Sequence, residues 1–88
     1  MMITDIYVVI NSNDQRERLK EAFKEASFSL NILDIRGKEK KKAWALKSHW
    51  AAKLDPFAIV MDGDRAVKVF YSETGENIIE SLINFLQL

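Results

Sequence analysis

The chain has 88 residues, with 13 Lys and Arg balanced by 13 Asp and Glu, so no global field draws it to nucleic acid or membrane. That length suits one domain, residues 1–88, burying about 60–65 % of the surface its unfolded chain exposes. It contains no cysteine, which excludes disulfides, cysteine-ligated metal centres and every thiol mechanism.

The N-terminal stretch MMITDIYVVI carries Asp5 ahead of a short apolar run, a pattern that does not fit a secretory signal. No stretch has membrane-spanning length, and a cytoplasmic chain is expected. Within that stretch, residues 6–10 (IYVVI) are β-branched or aromatic with no polar alternation, which predicts a strand buried on both faces. NSND follows and offers Ser12, Asn13 or Asp14 as a helix N-cap, with Glu17 three residues after Asp14 in capping-box spacing. Leu19, Ala22, Phe23 and Ala26 then recur at i, i+3, i+4, i+7, the stripe of a helix lying on a sheet. Residues 29–37 (SLNILDIRG) have apolar side chains at both parities and read as a second strand covered on both sides, ended by Gly37.

Residues 38–54 read as a second helix with Ala43, Leu46, Trp50 and Leu54 in one stripe. Asp55 ends it, because the residue before a proline is pushed out of the α region. Residues 57–61 and 66–71 form two strands joined across DGDR, where Asp62-Gly63 is a tight-hairpin signal. The fourth strand is an edge in this arrangement. Val67, Val69 and Tyr71 could pair it with a second copy, although Arg65 and Lys68 oppose that, so a monomer or weak homodimer is expected. Ile78, Ile79, Leu82, Ile83 and Leu86 mark a C-terminal amphipathic helix.

The predicted order is β-α-β-α-β-β-α, a four-stranded mixed sheet with helices on both faces. With Pro56 opening the third strand, this order resembles the thioredoxin-like superfamily in its minimal, glutaredoxin-like form across nearly the whole chain. The resemblance implies a cis peptide bond before Pro56. It also implies a groove where the first helix cap, the backbone before that proline and the loop after the fourth strand converge. The family's redox cysteines sit at the turn after the first strand, where this chain has Asn11, Ser12, Asn13 and Asp14. The lysine and the Gly-Gly pair used by glutathione-binding members are replaced by Val9-Ile10-Asn11 and Ser72-Glu73-Thr74. Asp55 would also set a carboxylate against an anionic tripeptide. Carried over residue by residue, the groove is lined by Ser12, Asn13, Asp14, Asp55, Pro56, Ser72 and Glu73. The expectation is a redox-inactive module that takes a peptide or protein there as an added strand, with no cofactor and no enzymatic activity.

Other chemistry has weaker support. Ser12 and Asp14 are the residue types a helix cap demands, so capping explains them without catalysis. Asp14, Asp55 and Glu73 lack the spacing of a cation loop, and no metal site is expected. His49, the one histidine, falls opposite Ala43 and Leu54 on a helical wheel, and no nucleophile elbow accompanies it. Gly37, Gly63 and Gly75 are isolated, so no phosphate-cradling loop is present. The rival reading is a nucleic-acid patch over residues 36–53, combining Arg36, Lys38, Lys40, Lys41, Lys42, Lys47 and Lys53 with Trp44. The bland alternative is a solvated helix face, with Trp50 in the core.

Overall fold

In a computed structural model of the chain, DIYVVI forms β1 (Asp5–Ile10) at the interior of the sheet. The structure describes residues 2–42, 44–45, 57–71 and 78–86. Strand β2 (Ser29–Asp34) runs parallel to β1, from Asp5↔Ser29 to Ile10↔Asp34. On the other side β3 (Phe57–Asp62) runs antiparallel to β1, from Asp5↔Met61 to Val9↔Phe57. Antiparallel to β3, β4 (Arg65–Tyr71) completes a mixed sheet of order β2-β1-β3-β4. Helix α1 (Asn13–Ala22) follows β1 directly, residues 40–42 and 44–45 are helical, and α2 (Ile78–Leu86) closes the described chain. Among these residues no helix is long and apolar enough to cross a membrane.

The unbroken apolar run of β1 serves both faces of the sheet. Ile6, Val8 and Ile10 join Ala58 and Val60 beneath α1 and α2, which contribute Leu19, Phe23, Ile78, Ile79 and Leu82. Val9 turns the opposite way and meets Leu33, Ile59 and Met61 in a second buried cluster. Each fully buried aliphatic side chain here stabilises the fold by about 1.5–3 kcal/mol. Two edge-to-face aromatic pairs extend the larger cluster: Phe23 on Phe28, with centroids 5.7 Å apart, and Phe70 on Phe85, 5.5 Å apart. The predicted stripes of both helices therefore face the core.

The cap of α1 departs from expectation in detail. Ser12 has extended backbone, and its Oγ accepts from the Gln15 N–H at 3.2 Å. The Gln15 Oε1 reaches back to accept from the N–H groups of Ser12 and Asn11, at 3.2 and 2.8 Å. The capping box is thus Ser12 with Gln15, and not Asp14 with Glu17. Strand β2 ends at Asp34, three residues short of Gly37, because residues 35–39 form turns.

In the β3–β4 hairpin the two loop residues are Gly63 and Asp64, since Asp62 pairs with Arg65. Gly63 takes the positive φ of +64° that such a turn requires. Its N–H donates to the Thr4 Oγ1 at 2.8 Å, tying the turn to the chain entering β1. The pairing slips between Val60↔Lys68 and Met61↔Ala66, leaving Val67 as an extra residue on β4. This bulge has a packing reason. Ala66 and Val69 are three apart and would point to opposite faces of a regular strand, yet both join the smaller cluster, while Val67 and Phe70 join the larger. As expected, β4 is an edge strand, with Arg65 and Lys68 exposed.

Candidate binding site

Strand register brings together the strand ends that border the chain segments named from the sequence. Val9 pairs with Phe57, and Phe57 pairs with Tyr71. The carboxyl end of β1, the amino end of β3 and the carboxyl end of β4 therefore share one end of the sheet. Ile10↔Asp34 adds the carboxyl end of the parallel β2. Ser12, Asn13 and Asp14 sit at this end, where β1 turns into α1. Asp55 and Pro56 directly precede Phe57, and Ser72 and Glu73 directly follow Tyr71. Those four residues lie outside the described part of the chain, as do the expectations at Ala43, Leu46, His49, Trp50 and Leu54.

Of the three described groove residues, Ser12 is half-buried and committed to the cap. Asn13 and Asp14 are exposed in the first turn of α1, where the helix dipole favours a carboxylate. The Asn13 Oδ1 accepts from the Arg36 Nη2 at 2.9 Å. That bond joins the turn expected to line the groove to an ion network absent from the sequence reading.

Asp34 is the centre of this network. Its Oδ1 accepts from the backbone N–H of Arg36 at 2.9 Å and from Arg36 Nε at 3.0 Å, while its Oδ2 accepts from Arg36 Nη2 at 2.7 Å. Arg16 on α1 approaches the same carboxylate at 3.6 Å and Glu39 at 3.9 Å. Glu39 in turn accepts from the Asp34 N–H at 2.8 Å. Charge-assisted bonds from the Arg36 side chain, then from its backbone N–H, hold the Asp34 carboxyl well below the usual carboxylate range. The same pairing pushes the Arg36 guanidinium up. Two cations and two carboxylates thus fasten residues 34–39 to the start of α1. The sequence signal was local: an Asp two residues before an N–H donor is an Asx-turn pattern.

The expected basic patch is divided by this geometry. Arg36 is engaged with Asp34 and Asn13. Lys38, Lys40, Lys41 and Lys42 are exposed, and Trp44 is 55 % exposed. Lys47 and Lys53 lie outside the described residues. Among the described residues no group of three His, Asp or Glu is arranged to hold a metal ion. No family model, no curated protein and no solved structure matches the chain.

Proposed function

We propose that the chain is a redox-inactive thioredoxin-like module, of the glutaredoxin-like form, that binds a peptide or protein segment at this end of the sheet. One observation carries the reading: the register Val9–Phe57–Tyr71, which aligns the strand ends bordering residues 11–14, 55–56 and 72–73. The order of elements supports the fold assignment, with a helix directly after the first strand, a parallel second strand, and a hairpin preceding the last helix. Strand addition of the kind the resemblance implies for the backbone before Pro56 needs no thiol. The exposed Asp14 carboxylate in the first turn of α1 gives this end of the sheet a preference for neutral or basic peptides.

The test begins by selecting a binding peptide from a displayed library of extended sequences. Titrating it into isotope-labelled protein should shift the amide signals of residues 11–14 and of Phe57 and Tyr71, and Asn13→Ala combined with Asp14→Ala should weaken binding. Shifts confined to other faces, or affinity unchanged by the double substitution, overturn the reading.

A further inference from the structure

We infer a second binding site, for single-stranded nucleic acid, on the lysine-bearing segment that follows β2. Lys38, Lys40, Lys41 and Lys42 are exposed, and among the described residues none of their four side chains makes a hydrogen bond or ion pair. Elsewhere Arg16 and Arg36 are matched by Asp34, Arg18 by Glu80, and Lys24 by Glu21, while Lys20, Arg65 and Lys68 stand singly and exposed on other elements. Glu39 lies within the lysine run but does not offset it. Its carboxylate turns inward to the Asp34 N–H at 2.8 Å and towards Arg16 at 3.9 Å. The fold thereby engages the one acid of the segment with the loop and α1, and the four lysines outnumber it on the surface.

An aromatic ring stands with these charges. Trp44 is 55 % exposed, and helical spacing sets Lys40 and Lys41 on its face, four and three residues before it. Lysines that meet phosphates beside a ring that stacks on a base form the combination that binds single strands, and stacking tolerates any base. A duplex hides its bases from such a ring. Phosphates at Lys40 and Lys41 with a base on Trp44 need no broad apolar helix face of the kind a lipid surface demands. The Asp34–Arg36 pairing and the Arg36–Asn13 bond hold the preceding loop on the sheet, so the lysines project from a fixed base.

The experiment measures fluorescence anisotropy of labelled 20-mers of dT and rU with the full chain, at 50 and 200 mM salt. Four phosphate contacts give a salt slope of about −3, a loss of roughly 50-fold in affinity between those concentrations. Lys40→Ala with Lys41→Ala and Lys42→Ala should abolish binding at 50 mM salt, and Trp44→Ala should weaken it at least about 5-fold. The triple lysine variant should keep the parent melting temperature within a few degrees, since its three positions are exposed. Tighter binding of rU assigns RNA, and tighter binding of dT assigns DNA. No binding at 50 mM salt, full binding by the triple variant, a duplex bound as well as the single strand, or stronger binding to phosphatidylserine vesicles each overturns the proposal. The groove reading is unaffected by any of these results.

Discussion

Leu19→Ala tests whether α1 is held on the sheet by its apolar stripe, and so whether the Ser12 to Asp14 turn has a fixed position. Leu19 is 0 % exposed within the cluster that also buries Ile6, Val8 and Leu82. Removing a fully enclosed leucine side chain costs its transfer free energy and leaves a cavity, together about 3–5 kcal/mol. A chain of this size has a total stability of about 4–13 kcal/mol, so the loss is a large fraction of the whole. The melting temperature should fall by roughly 12–25 °C at the lower end of that cost. Lys20→Ala is the control: the neighbouring side chain is exposed and should move stability by no more than about 0.5 kcal/mol. Thermal unfolding followed by far-UV circular dichroism reads both. A fall of under about 5 °C for Leu19→Ala would refute the packing of α1 described above.

Gly63→Ala should cost about 1–2 kcal/mol, because φ is +64° there and a Cβ meets nothing within 4 Å, so the penalty is purely conformational. Gly63→Asn should recover much of it, as read from denaturant midpoints. Ser12→Ala should destabilise by about 1 kcal/mol through loss of the cap to Gln15, whereas Ser12→Asp should be close to neutral in the same assay. The Asp34 carboxyl is lowered in the folded chain by Arg36, so the unfolded chain binds the proton more tightly. Its contribution is complete above the ordinary carboxylate value of about 3.9 and is lost as pH falls below it. Melting temperatures from pH 7 to 2 should therefore show a shallower acid limb for Asp34→Asn than for the parent. Deleting Val67 should leave Val60↔Lys68 and Met61↔Ala66 paired, with only partial burial lost. Interstrand NOEs that show Ala66 or Val69 on a new face would contradict the bulge argument.

Most of the sheet was legible because burial dictates residue type. The unbroken IYVVI announced a strand with both faces covered, and Val9 does oppose Ile6, Val8 and Ile10. Both described helices were legible from their 3.6-residue stripes. What failed were positions where several local solutions compete. NSND contains four residues of capping type, and Ser12–Gln15 has the same spacing as Asp14–Glu17, so only the geometry of the turn selects one. The apolar pattern through Ile35 extends past the true end of β2, because Asp34 diverts the next free N–H to its own side chain. The bulge at Val67 left no glycine or proline to mark it. It exists to reconcile Ala66 and Val69 on one face, a requirement visible only once β4 is paired with β3.

The site was legible only in part because charge is read along a sequence but acts across a fold. Arg36 stands at the head of a lysine run and was grouped with it. Yet Ile10↔Asp34 brings the end of β2 beside the first turn of α1, and there Arg36 meets Asp34 and Asn13. The same network claims Glu39. One run of like charge is thus sorted into two parts. Arg36 and Glu39 are spent on fastening residues 34–39 to α1, and Lys38, Lys40, Lys41 and Lys42 remain for solvent or an anion. Asn13 belongs to the proposed peptide groove, while the segment fastened through it carries the lysines. Occupancy of the groove that displaced Arg36 from Asn13 would therefore loosen the base of the lysine segment, and the two sites would be coupled through a single hydrogen bond. Asn13→Ala removes that bond without touching a lysine. It should lower oligonucleotide affinity as far as saturating peptide does in the parent, with saturating peptide then lowering it no further, and a peptide effect that persists at saturation in Asn13→Ala excludes this route of coupling.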